Sequence, residues 1–300
     1  MKRRKRARGY QLRRLCCYDR KNCFSARFKN NFQSNAIAQT FWLKDRRADK
    51  SMALHESEAI ILQSYSLGEA DRLVSFLSRA AGRMRGVAAG ARKPKSRFGS
   101  TLERLSHVRI WYFENPTREL VRIRQCEMIE SFLDAFGDYA SSVALSILSE
   151  VSQAVLPDRE ASDANFRLLL LTAQTIKSTR KPELPLGYFA LWTVKLGGWL
   201  APLDHCGFCG AMLAENSAAY IARSGSAVAC AKCRRAGMRV ISPAALALAR
   251  RMLAERLDRL PDADASSIRA AREVTAIMLD VIEQQIDRKL TSRELLEPTA

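Results

Sequence analysis

No run of the 300-residue chain comes near the roughly 18 apolar residues that a membrane-crossing helix requires. Leu168-Leu-Leu-Leu-Thr-Ala173 is short, and Lys195 interrupts the apolar stretch from Tyr188 to Leu203, so a soluble globular protein without a membrane partner is expected. Recognisable nucleotide-triphosphate cradles are also missing, since neither Gly-Lys-Ser/Thr nor G-x-G-x-x-G occurs. His55-Glu-Ser-Glu-Ala is not the H-E-x-x-H of a metalloprotease, and no H-x-E accompanies the cysteine pairs as a zinc deaminase would need. Without an acid–base pair or an activated nucleophile, neither an enzyme nor a small-molecule substrate is expected.

What the chain has in excess is positive charge, formally +18, and its distribution decides what that means. Residues 1–51 hold sixteen Lys and Arg against three Asp, so little of the excess belongs to the remainder. This basic extension has no sustained period and no signal-peptide core, and its Cys16, Cys17 and Cys23 lack metal-type partners. Three explanations compete for it: a nucleic-acid arm, an Arg-rich transit peptide, or translated upstream sequence. We expect the third, a disordered extension of residues 1–51, because strand-like patterning begins at once after Met52, a natural initiator. From Met52 onward the charge concentrates in residues 79–124, with twelve Lys and Arg against three Glu. Such a stretch is either a binding face or a merely solvated one.

Cys206-Gly-Phe-Cys209 and Cys230-Ala-Lys-Cys233 form two C-x2-C pairs, a spacing that lets two turns aim four sulfurs at one ion. Structural zinc is the expectation, against disulfides or unpaired buried thiols. His205 is a fifth candidate ligand, although a solvated neighbour is the plainer reading. Four thiolates fill a tetrahedral shell and leave no place for an activated water, so the metal would be a staple rather than a catalyst.

Hydrophobic periodicity divides the rest. Glu58–Leu67, Arg72–Leu77, Arg83–Ala88, Val108–Glu114 and Leu120–Ile129 alternate as five short strands, which suits an OB-fold barrel over residues 52–131, with a small open sheet as the alternative. Alternation sends Val108, Ile110, Tyr112, Val121 and Ile123 to one face. Arg109, Trp111, Phe113, Arg122 and Arg124 go to the other, which is thus basic and partly aromatic, as unpaired bases and phosphates require. The alternative for Trp111 and Phe113 is burial under a helix. The loop Arg92-Lys-Pro-Lys-Ser-Arg97 carries four cations in six residues and makes a phosphate clamp. Beyond it, helical spacing runs through Val143–Val155, Phe166–Ile176, a segment opened by Pro185, one capped by Ser242-Pro243 and continued through Leu246, Arg250, Leu253 and Leu257, and Ile268–Ile286. The overall expectation is an α+β chain: the barrel, then a helical domain over 132–300 carrying a zinc ribbon at about 203–236.

Glu56-Ser-Glu-Ala-Ile-Ile-Leu, Gly68-Glu-Ala-Asp-Arg-Leu-Val, Gly90-Ala-Arg-Lys-Pro-Lys-Ser-Arg-Phe-Gly and Leu120-Val-Arg-Ile-Arg-Gln-Cys-Glu occur in this order. Together they resemble the RecO family of bacterial DNA-repair and recombination mediators, from about Met52 to the C-terminus. The resemblance implies an OB-fold that binds single- and double-stranded DNA, and a helical domain with a zinc segment that some members have lost. It further implies annealing of complementary strands and, in the RecF pathway and without ATP, help in loading RecA onto DNA coated by single-stranded-DNA-binding protein. RecR and the acidic C-terminal tail of that coating protein would be partners, and a cytoplasmic, nucleoid-associated location would follow. Carried onto this sequence, the DNA-contacting group is Arg92, Lys93, Lys95 and Arg97, with Arg72, Arg83, Arg85, Arg122 and Arg124 as weaker additions; Cys206, Cys209, Cys230 and Cys233 are the zinc ligands. The rival reading is an OB-fold and zinc-ribbon factor acting on RNA or a transcription complex.

Overall fold

Ala53–Leu67 (β1) is long enough to serve two neighbours, and its Ala59-Ile-Ile-Leu62 run is apolar on both faces. In this computed structural model, which describes residues 53–115, 117–214, 216–260 and 264–296, β1 pairs with Asp71–Ser78 (β2) and with His107–Glu114 (β4). The register with β2 slips at Leu62, a bulge that bends the strand as barrel closure demands. β2 pairs with Gly82–Ala88 (β3), and Val121–Glu130 (β5) joins β3 in parallel and β4 antiparallel, so the order β1-β2-β3-β5-β4 closes into a barrel. Closure removes the open-sheet alternative. The extension of residues 1–51 and its cysteines lie outside the described residues.

Alternation along β1 serves two cores. Ala59 and Ile61 point into the barrel with Val74, Phe76, Ile110 and Ile123, whereas Ile60 and Leu62 belong with Leu77 and Leu105 to the helical core. Each such Ile or Leu contributes about 1.5–3 kcal/mol on burial, so the outer side of β1 and β2 is bonded to the helices by packing. The link from β3 to β4 is a chain of turns rather than an open loop. Phe98 and Leu102 plug the barrel core and Leu105 enters the other one, which brings the basic end of the loop back onto the barrel.

The helices start where caps permit. Asp138 accepts from the Ser141 amide at the head of Tyr139–Val155 (α1), and Ser162 from that of Asn165 before Asp163–Thr179 (α2). Glu183–Leu196 (α3) begins two residues before Pro185, which therefore occupies the first turn, where its missing N–H costs nothing. Ser242 caps Pro243–Ala254 (α4), and Asp264 caps Ala265–Gln285 (α5). Leu257, expected on α4, lies beyond it in a short 3-10 turn, because Glu255 leaves the helix in an extended conformation. α3 is buried over most of its surface and packs against α5; a Cβ on its Gly187 would stand 3.2 Å from the Ala271 carbonyl oxygen.

Between α3 and α4 lies a three-stranded sheet of Ala219–Ile221 (β6), Val228–Ala229 (β7) and Arg239–Ile241 (β8), in the order β7-β6-β8. This sheet occupies the expected ribbon and extends past it through β8, whose three residues are too few to show a period. Ala219, Ile221, Val228 and Ile241 join the helical core, so this segment is part of that core rather than an appendage on it.

Candidate nucleic-acid interface and metal centre

Both C-x2-C pairs form tight turns. The Cys206 amide donates to the Ala211 carbonyl at 2.8 Å, the Gly210 amide to that of Cys206 at 2.9 Å, and the Cys233 amide to that of Cys230 at 3.0 Å, while Gly207 is tied to β7 through Val228 at 2.8 Å. These turns bring the four sulfurs within 4.8 Å of one another, with Cys209 and Cys230 3.9 Å apart. A tetrahedron of thiolates about 2.3 Å from a central ion has edges near 3.8 Å, so the four residues fit a metal ion and can hold one. Backbone amides of Cys230, Cys209 and Phe208 pull the Cys206 thiol down to about 6. Hydrogen bonds with Cys209 and Cys230 push the last thiol, Cys233, up to about 12. A divalent cation held by Cys206, Cys209, Cys230 and Cys233 would relieve that opposition by taking all four as thiolates. His205 is exposed and stands outside the group.

On the barrel, β4 and β5 show the predicted alternation. Val108, Ile110, Tyr112, Val121 and Ile123 are buried, and Arg109, Arg122 and Arg124 are exposed. A bulge refines it. Trp111 lies opposite Gln125 and Tyr112 opposite Ile123, so Arg124 is the extra residue and both Arg124 and Gln125 are exposed. Arg97, Phe113, Arg122, Arg124 and Gln125 line a cleft of about 350 Å³. The Arg124 guanidinium stands 5.9 Å from the Phe113 ring centre, and that of Arg97 stacks at 4.8 Å on Phe98, itself sunk in the core. Phe113 is therefore a half-buried wall of the cleft, and Trp111, also half-buried, is held by its indole N–H to the Glu56 carboxylate at 3.0 Å. Cations and a ring edge converge here as a phosphate backbone with unpaired bases requires.

The family description "Recombination protein O N terminal" matches residues 52–132, and "Recombination protein O C terminal" matches residues 137–294. The DNA repair protein RecO of Koribacter versatilis is 35% identical over 245 residues, 81% of this chain and 98% of the relative. That of a Nocardioides species is 32% identical over 248 residues, 81% and 99%. The one from Streptomyces avermitilis is 32% identical over 254 residues, 82% and 100%. The chain belongs to the RecO family. RecO membership accords with a five-stranded barrel followed by helices, and no helix among the described residues is long and apolar enough to cross a membrane.

The barrel does not gather all nine cations that the sequence singled out. Arg92, Lys93, Lys95 and Arg97 are exposed on one loop, whose base is fastened where the Arg92 guanidinium donates to the Gly68 carbonyl at 2.8 Å. Arg122 and Arg124 meet Arg97 in the cleft. Arg85 is exposed but stands 3.7 Å from Glu119, and Arg72 is 3.2 Å from Glu103. Arg83 lies elsewhere in function: it pairs with Asp158 at 3.0 Å and donates to the Gln153 carbonyl at 2.9 Å, and burial lowers its pKa. It is a junction residue between barrel and helices, which its charge alone could not reveal.

Sequence reasoning missed the rest of that junction. Arg79 bonds Asp163 at 2.7 Å and Glu58 at 3.1 Å and lies 5.7 Å over Phe166. Arg159 pairs with Glu114, and His107 is buried edge-on against Phe166. No local motif marks these contacts, because each joins residues far apart in the chain. Cys126, inside the barrel, has its thiol pushed up to about 12 by burial and serves as a small core hydrophobe rather than a nucleophile.

Proposed function

We propose that this RecO-family DNA repair protein is a recombination mediator that grips single- and double-stranded DNA on the barrel and anneals complementary strands. The observation that carries the reading is the cleft in which Arg97, Arg122 and Arg124 surround the Phe113 ring. Annealing asks for neutralisation of two polyanions and a sequence-tolerant grip on bases, and it asks for no nucleophile, acid–base pair or ATP. Arg92, Lys93 and Lys95 extend the phosphate track; Arg72 and Arg85, each beside a carboxylate, are weaker additions to it, and Arg83 serves the junction instead. The cysteine quartet takes zinc as a structural ion, since four thiolates suit it and leave no open position. Help in loading RecA within the RecF pathway, contacts with RecR and with the acidic tail of single-stranded-DNA-binding protein, and action at the nucleoid in the cytoplasm complete the proposal.

The test uses the full chain with complementary oligonucleotides coated by the cognate single-stranded-DNA-binding protein, without nucleotide, over a salt series. Acceleration of annealing is expected, with loss of the effect in an Arg97→Ala, Arg122→Ala, Arg124→Ala variant. No acceleration at any salt would sink the reading, and a preference for structured RNA would favour an RNA-binding factor instead.

A further inference from the structure

The metal turns carry a surface that the barrel reading leaves unused. Residues 206–238 contain four Lys and Arg and a single Glu. Three of the four cations, Lys232, Arg234 and Arg235, are exposed on or just after the second turn. The Arg235 guanidinium lies 4.0 Å from the centre of the Phe208 ring, which belongs to the first turn and is 40% exposed. Arg234 lies 5.7 Å from the centre of the Tyr220 ring, with its guanidinium 3.5 Å from the phenol oxygen. Among the described residues no carboxylate pairs with Lys232, Arg234 or Arg235, unlike Arg239 and Arg250, which face Asp280 and Asp204.

From this juxtaposition we infer a second single-stranded-DNA contact on the metal turns, with Phe208 as the stacking platform and Lys232, Arg234 and Arg235 as the phosphate partners. An arginine already resting on an exposed ring marks a flat, weakly hydrated face, the kind on which an unpaired base settles. Cation and ring alternate here, which suits a strand that itself alternates phosphate and base. Both turns are locked by the sulfur cluster, so little conformational freedom is lost on binding. A second grip separate in the chain from the barrel cleft lets one protein hold two strands at once. That consequence rests on the proposed annealing role, whereas the contact itself does not.

Binding of the metal-loaded full chain to a fluorescent oligothymidylate and to an abasic strand of equal length, by anisotropy across a salt series, tests it. The Lys232→Ala, Arg234→Ala, Arg235→Ala variant is expected to bind both strands several-fold more weakly. Its salt slope should be shallower by about two, at roughly 0.7 per phosphate contact. Phe208→Ala should lose affinity for oligothymidylate several-fold and leave the abasic strand unchanged. Metal content and melting temperature are read in parallel. Should those variants shed metal, Ala231→Lys and Ala236→Lys, both at exposed positions, must tighten binding and steepen the slope. Unchanged affinity and slope with metal retained, or binding of an acidic peptide in place of DNA at these residues, would overturn the inference. The barrel variant with Arg97, Arg122 and Arg124 replaced separates the two ideas: a loss there with an inert knuckle removes only the inference, and the reverse removes only the barrel reading.

Discussion

Single residues decide two things here, what the cleft can hold and how closely the chain can approach itself. Phe113 is the only ring among the residues lining the cleft, and base stacking on an aromatic contributes about 1–3 kcal/mol per base. Phe113→Ala should therefore weaken single-stranded binding by roughly 5- to 150-fold and leave duplex binding, which presents no free base face, nearly unchanged; parallel titrations of the two substrates check it. Gly82 lies at the start of β3 with φ at +73°, and a Cβ there would meet the Glu160 carbonyl oxygen at 2.0 Å. Gly82→Ala combines left-handed strain with a backbone clash, so a loss of more than about 1 kcal/mol is expected in chemical denaturation. Its partner in that approach, the bond from the Arg159 amide to the Arg83 carbonyl at 2.9 Å, should be the first part of the junction to show faster hydrogen exchange. That Gly82 faces Glu160 is invisible in the sequence.

Among the elements, the barrel strands were the most legible. Period-2 alternation in β4 and β5 sorted core from surface, since the inner face can accept only apolar groups while the outer one meets water or ligand. The bulge at Arg124 was not legible, because an inserted residue preserves the composition of the strand and changes only its register. The metal turns behave as an element of another kind. Their strands are two or three residues long, too short to persist without support from the core and the cysteine cluster. Chelation, or Cys206→Ser, should release the metal and loosen the β7-β6-β8 sheet, with exchange protection lost first at the Gly207 and Ala222 amides that bond to Val228 and Ala227. Because Ile221, Val228 and Ile241 also belong to the helical core, the global melting temperature should fall too. Retention of full protection without metal would show the sheet to stand on packing alone.

At the scale of the whole molecule, barrel and helices are bound by a shared core and a charged seam. Ile60, Leu62 and Leu77 supply the packing, and Arg79 with Asp163, Arg83 with Asp158 and Arg159 with Glu114 the ionic contacts, each in general contributing little when exposed. His107 sits in that seam, 3.7 Å from the Glu58 carboxylate and packed on Phe166. Burial lowers its pKa, and the nearby charges of Glu58 and Glu130 only partly restore it. The folded state thus favours neutral His107, so as pH falls below about 6.5 the unfolded chain takes up a proton first and stability declines. His107→Leu should flatten that decline in denaturation curves between pH 7.5 and 5.5, whereas an unaltered slope would place the titration elsewhere. Asp280 belongs to a more acidic window. Burial opposes its ionisation, but hydrogen bonds from Arg239 and Arg293 outweigh this and hold the carboxyl below its usual range. Its contribution is lost only as pH drops below about 4.

Strands, helices and the metal quartet were determined by the sequence alone, because each is written in local terms: a period of two or 3.6, a capping residue, a two-residue spacer between cysteines; closure of the strands into a barrel was not. Which cations are left exposed was decided only by the tertiary structure. Arg83, Arg97 and Arg124 are alike as residues. One is half-buried against Asp158, one is carried over the barrel by the anchoring of Phe98, and one is turned outward by a bulge. Charge is a property of the residue, but its availability depends on what the fold brings within a few ångströms of it.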